Sequence, residues 1–406
     1  MKNYFITAVL SLIIGGCSAG PDEGAYLIHG IRYSDGVPVS VSVNEGGIIT
    51  RVEPIRDNTT THGLYISPGL IDLQINGYKG VDFTDTTLTL EDMITVTRAL
   101  WETGVTQYLP TVITSSDEIL QACFSRLSKY IEDPRIARSI PGFHLEGPYI
   151  SPVQGFRGAH LEKYIRPANW DEFRNYQALS GNKILLVTVA PEFEENITFI
   201  QKAAVAGILV SLGHHNAGPE VVHRAVEAGA RLSTHLGNGC ANEINRHHNP
   251  LWPQLSNDSL SISIIADGYH LTRDEVRTFY SVKGDEKTIL VSDALDLAGL
   301  PPGEYIRGER KILLTPHVAK YPAEDVLAGA ASPMKRCVMQ MMQYTGCSLK
   351  SVVHMASRNP GRLMGLGTGE LLPGRRADLI IFEFVDEEMV IRETYVAGEQ
   401  VYKKSD

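Results

Sequence analysis

Ile140-Pro141-Gly142-Phe143-His144-Leu145-Glu146-Gly147-Pro148 is a short apolar run that stops at a carboxylate and a Gly-Pro turn. Its length and flanking turn residues suit a buried strand, and the acid at its end is a residue type that binds a metal or moves a proton. The same pattern recurs on both sides of it. Short apolar runs at 64–75, 106–111, 140–146, 183–190, 208–212, 232–235, 261–267 and 288–293 alternate with helical stretches. Eight such alternations over roughly 300 residues predict an α/β fold, a (β/α)8 barrel whose active residues stand at the C-terminal ends of the strands.

The polar residues fall at those ends. Strand one closes on Gln74-Ile75-Asn76-Gly77, three on His144-Leu145-Glu146, five on Gly213-His214-His215, six on Thr234-His235-Leu236, seven on Asp267-Gly268-Tyr269-His270 and eight on Ser292-Asp293-Ala294. One His or Asp after a strand is ordinarily a helix cap or a hydrogen-bonded loop residue. Six in strand order converge on one face of a barrel. Glu146, His214 and His235 would supply one carboxylate and two imidazoles, a set suited to zinc or another borderline divalent ion that keeps a position open for water. Such an ion lowers the pKa of its water to roughly 7, and Asp293 beside it would act as base and then as acid in amide hydrolysis. His160, in Gly158-Ala159-His160 on the loop after strand three, is placed to stabilise the developing oxyanion, although loop histidines are commonly solvated.

The ends of the chain read differently from its middle. Residues 25–43 alternate apolar and polar positions around Ser34-Asp35-Gly36 and Glu45-Gly46-Gly47, and residues 377–382 and 395–401 have the same two-residue period. Segments 24–66 and 367–404 are therefore expected to form one small β-sandwich domain beside a catalytic barrel at 67–366. Ahead of both lies an uncharged, mostly apolar run at 5–14 followed by Ile14-Gly15-Gly16-Cys17. It is shorter than the roughly 20 residues of a spanning helix, and small residues before a cysteine suit a signal peptide at 1–17 with lipid attached at Cys17. That predicts a membrane-anchored lipoprotein facing the periplasm or exterior, with membrane contact by the lipid alone; without a true signal the cytoplasm is the expected location. The other cysteines, Cys123, Cys240, Cys337 and Cys347, have no metal-type spacing. With 37 Lys+Arg against 47 Asp+Glu in 406 residues, the net charge of −10 excludes a nucleic-acid binder.

Pro68-Gly69-Leu70-Ile71-Asp72-Leu73-Gln74-Ile75-Asn76-Gly77, His144-Leu145-Glu146-Gly147-Pro148, Gly213-His214, Thr234-His235-Leu236, Ile265-Ala266-Asp267-Gly268-Tyr269-His270 and Ser292-Asp293-Ala294 resemble the N-acetylglucosamine-6-phosphate deacetylases of the amidohydrolase superfamily. The His-Leu-Glu-Gly-Pro and Ile-Ala-Asp-Gly-Tyr-His segments are specific to that family, whereas Pro-Gly-Leu-Ile-Asp marks only the superfamily. The resemblance implies the sandwich beside the barrel and hydrolysis of an N-acetyl group on an amino sugar, foremost N-acetylglucosamine 6-phosphate. It implies that His270 contacts sugar hydroxyls, that Asn238 and Gly239 lie against the phosphate, and that Arg246 reaches the phosphate in a neighbouring subunit of a homodimer. Many superfamily members carry His-x-His at strand one; Gln74 and Asn76 stand there here, so a single zinc-type ion is expected. The segment Gly237-Asn238-Gly239-Cys240 departs from the Tyr and Ala usual in the family. Together with the leader, it keeps open an exported amidohydrolase acting on an unphosphorylated N-acyl sugar or another small amide. A sugar-binding lipoprotein without chemistry is the other alternative, against which the full set Glu146, His214, His235 and Asp293 argues. A hydrolase of cyclic amides would want a lysine at the end of strand four, where Thr188-Val189-Ala190-Pro191-Glu192 stands.

Overall fold

A computed structural model of the chain describes residues 26–56, 58–307, 310–316, 318–323 and 326–405. The proposed leader and Cys17 lie outside the described residues. Eight parallel strands form the barrel sheet in sequence order: Leu70–Ile75, Val105–Ile113, Phe143–Glu146, Ile184–Val189, Leu209–Leu212, Leu232–Ser233, Ser261–Ile264 and Thr288–Leu290. They are numbered one to eight below. The end of strand one meets the segment just past strand eight, where Asn76 N–H donates to the Ala294 carbonyl at 2.9 Å and Asp293 N–H to the Gln74 carbonyl at 2.9 Å. Buried Asp72 fastens this seam by accepting from Ser292 N–H at 3.1 Å and from the Ser292 hydroxyl.

Alternation along the strands sorts side chains between two layers. Ile71, Leu73, Leu109, Leu186, Leu232, Ile265, Ile289 and Val291 cluster together, while Leu70, Val105, Val187 and Ile262 belong to the larger core with the helices. The helix Leu90–Trp101 shows why these crossovers form. Thr89 and Asp92 make a reciprocal capping box, and Met93, Ile94, Val96, Thr97 and Leu100 give it a buried face. Thr272 and Glu275 cap Arg273–Lys287 in the same way.

The strand expected across 64–75 divides in two. Tyr65–Pro68 belongs to the terminal sheet and Leu70–Ile75 to the barrel. Gly69 sits at the crossing because a Cβ there would lie 2.1 Å from the Thr106 side chain. The terminal domain draws on both ends of the chain, as expected, and its seven strands join in one sheet: Glu399–Lys403, Glu388–Val396, Leu379–Val385, Tyr65–Pro68, Tyr26–Arg32, Pro38–Val43 and Ile49–Pro54. Leu379 and Ile381 enter its own core with Val39, Val41 and Ile66, and the alternate residues Ile380 and Phe382 pack with the barrel's core. The sequence gives no warning of a four-stranded antiparallel sheet inserted after strand eight, comprising Gly303–Arg307, Arg310–Leu314, Val318–Tyr321 and Val326–Ala330. It is tied to the active face by Ala330 N–H donating to the Asp293 carbonyl at 2.9 Å.

Candidate active site

Three strand-end residues turn into the barrel mouth through left-handed backbone: His214 at φ 53°, His235 at φ 29° and Asp293 at φ 48°. Non-glycine residues adopt this region at a cost of about 1 kcal/mol or more, and such strain collects at functional sites. Its effect here is to aim three side chains at one place. The ligand atoms of Glu146, His214 and His235 all lie within 4.8 Å of one another, and all three residues are buried. Glu146 Oε1 is 3.1 Å from His235 Nε2 and 3.4 Å from His214 Nε2, and the two Nε2 atoms are 3.0 Å apart.

The residues fit a cation. His214 Nδ1 faces the Phe156 carbonyl at 2.9 Å, and a carbonyl only accepts, so Nδ1 carries the proton and Nε2 presents a lone pair. A bare imidazole nitrogen directed at a carboxylate and at a second imidazole nitrogen, away from water, is a donor set for a metal.

Asp293 stands beside this cluster. Its Oδ1 accepts from Asn76 Nδ2 at 2.7 Å and from Gln74 Nε2 at 3.2 Å. The same Gln74 amide nitrogen donates to Glu146 Oε1 at 2.8 Å. The two amides at the end of strand one thus brace Asp293 and Glu146. Burial, then the charge of Glu146, push the Asp293 carboxyl up to about 6. His160 lines the same cavity, with its Nδ1 2.8 Å from the Thr114 hydroxyl and its ring edge-on to that of His214 at 4.5 Å between centroids. Burial drives its pKa down to about 3, so the ring is neutral. His270 also lines the cavity. Its Nδ1 donates to Asp267 Oδ2 at 2.9 Å, which leaves Nε2 for a ligand.

The cavity measures about 860 Å³, within the roughly 300–1,000 Å³ usual for a small molecule. Asn238 lines it. Gly239 instead packs against His214 and His235, where a Cβ would come within 2.9 Å of the His214 backbone nitrogen. Arg246 is exposed and outside the lining of this chain's cavity. The arginines that do line it, Arg157, Arg307 and Arg310, escaped the sequence reading. Arg307 is paired with Asp82 at 2.6 Å and Asp296 at 3.0 Å, and Arg310 stacks on Tyr321 at 3.9 Å. Nothing local marks Arg307 and Arg310, since they reach the mouth only through the inserted sheet, and Arg157 stands on the long loop after strand three. Thr114 was missed because a threonine after a strand carries no chemical signature by itself. Asp267 was visible three residues before His270, but its partnership needed the turn.

A profile of the amidohydrolase family matches residues 65–401. The chain is 33% identical over 354 residues to the N-acetylglucosamine-6-phosphate deacetylase of Rattus norvegicus, covering 84% of each. It is 30% identical over 319 residues to that of Bacillus subtilis (strain 168), covering 77% of this chain and 79% of the relative. The crystal structure of N-acetylglucosamine-6-phosphate deacetylase from Thermotoga maritima superposes with a TM-score of 0.83 at 28% identity, over 93% of this chain and 100% of the other.

Proposed function

The chain belongs to the amidohydrolase family and, within it, to the N-acetylglucosamine-6-phosphate deacetylases, and on that premise we propose that it hydrolyses N-acetylglucosamine 6-phosphate to glucosamine 6-phosphate and acetate. The observation that carries the reading is the convergence of Glu146, His214 and His235 beside a carboxylate held by Asn76 and Gln74. Glu146, His214 and His235 would hold one divalent ion of the zinc type, which supplies Lewis acidity that acidifies water and polarises a carbonyl.

The chain's own groups account for the proton movements. Asn76 and Gln74 occupy Asp293 Oδ1, so Oδ2 is the oxygen that takes a proton from the attacking water. As the water oxygen bonds to the acetyl carbon, His160 donates to the developing oxyanion. When the C–N bond breaks, Asp293 returns its proton to the sugar nitrogen. His270, held by Asp267, hydrogen-bonds sugar hydroxyls. Asn238, which lines the cavity, receives the phosphate, and Arg246, exposed on its own chain, serves the site of a partner in a homodimer.

The leader ending at Cys17 supports an anchored, outward-facing enzyme, and with it a second reading in which the substrate is an unphosphorylated N-acyl amino sugar. Loss of membrane fractionation in Cys17→Ser tests the anchor. A hydrolysis screen of N-acetyl hexosamines with and without a 6-phosphate, on metal-loaded protein, decides the substrate: release of acetate only from the phosphorylated sugars upholds the first reading, and equal rates on both remove the phosphate from it. Mixing Arg246→Ala with Asp293→Asn subunits tests the dimer, because restored activity requires one site to combine residues of both chains.

A further inference from the structure

Strand two is one of the barrel strands whose end shows no acid or imidazole, yet Thr114, the residue directly after Val105–Ile113, reaches the site. It is 6% exposed, and its hydroxyl lies 2.8 Å from His160 Nδ1. The competing acceptor, the Glu146 carbonyl, is 3.4 Å away, beyond the roughly 2.5–3.0 Å of a good O–H···O bond. A hydroxyl has one proton to give, and the nearer partner takes it. Room for that hydroxyl comes from Gly147, where a Cβ would sit 2.1 Å from Thr114 Oγ1.

Three of the four histidines lining the cavity thus have three kinds of Nδ1 partner. His214 faces a carbonyl and His270 a carboxylate, both of which only accept, so each of these rings keeps its Nδ1 proton and turns its Nε2 to the site. His160 faces a hydroxyl, which is able to donate. We propose that Thr114 is a positioning residue for the reaction, holding His160 as the tautomer that carries its proton on Nε2 and so donates to the oxyanion. This rests on the reading of His160 as the oxyanion donor. Two neighbouring rings are then set to opposite tautomers by opposite partners: a lone pair toward the ion from His214, and an N–H toward the substrate from His160.

The test uses the full-length, zinc-loaded protein. In Thr114→Val, kcat for acetate release falls roughly tenfold to a hundredfold, as for other residues that orient a functional imidazole, while KM stays nearly constant. Thr114→Ser restores the wild-type kcat, and adding Thr114→Val to His160→Gln costs nothing further. Nitrogen NMR of histidine-labelled wild type, with the His160 signals assigned by their absence from His160→Gln, shows a protonated Nε2. A protonated Nδ1 in that spectrum overturns the proposal without need of any Thr114 variant. Wild-type kcat in Thr114→Val alongside an impaired His160→Gln overturns it while sparing the oxyanion reading; full activity in His160→Gln overturns both.

Discussion

The two halves of the active face are built on different plans. On the half we propose to be hydrolytic, Glu146, His214, His235 and Asp293 stand at or within three residues of strand ends, and the side chain of each faces another site residue or backbone. On the half we propose to recognise the substrate, Asn238 comes from the segment after strand six and Arg307 and Arg310 from the inserted sheet, with Arg246 proposed to come from a partner chain. The contrast follows from what each half must do. Bond-breaking needs a few atoms fixed to within fractions of an ångström, which a strand end braced by a neighbouring strand provides. Substrate choice needs groups displayed at a distance from that centre, and loops and inserted hairpins carry them without disturbing it.

Substitutions on the two halves should therefore fail in different ways. The largest effect is expected for His214→Ala, which removes a ligand and should abolish both ion retention and turnover; elemental analysis of the wild type should give one tightly bound divalent ion per chain, and two ions or an active variant would break the assignment. Asp293→Asn should keep the fold and the ion but lower kcat by roughly a hundredfold to ten-thousandfold, the usual cost of losing a positioned acid-base group. A residual rate above about a tenth of wild type would make another residue the base.

On the recognition half the loss should appear in KM. Truncating a charge-assisted contact costs about 1.5–3 kcal/mol, so Arg246→Ala should raise KM for the phosphorylated sugar by roughly tenfold to a hundred and fiftyfold and leave plain sugar almost untouched. Equal effects on both substrates would erase the distinction between the halves.

The smallest effect sharpens the hydrolytic half. Asp293 works as a base only when ionised, and its carboxyl is pushed up to about 6, so activity should fall as the pH drops through that region. A bound divalent cation draws the limb lower. Asn76 donates to Asp293 Oδ1 at 2.7 Å and so favours the charged form. Asn76→Ala should then shift the acid limb of the pH–rate profile to higher pH; an unmoved limb would assign it to a different group.

Much of this molecule was legible in one dimension. Strand and helix periodicities are local, and they gave the barrel its eight strands and joined the termini in one small domain. Because a parallel barrel brings all its C-terminal strand ends to one rim, the residues that end strands three, five, six and eight were bound to meet once the barrel was inferred. That is why Glu146, His214, His235 and Asp293 could be singled out before any coordinates. Sequence also showed that amides replace imidazoles at Gln74 and Asn76, but their use as braces depends on a contact such as Asn76 to Asp293, across 217 residues, which no local pattern encodes. The pairing of Thr114 with His160, the arrival of Arg307 and Arg310 through an unanticipated sheet, and the division of one expected strand at Gly69 were likewise settled only by tertiary structure. Periodicity reports which face of an element is buried, whereas hydrogen-bond partners are chosen by distances of a few ångströms between segments whose register is fixed only when the whole barrel closes.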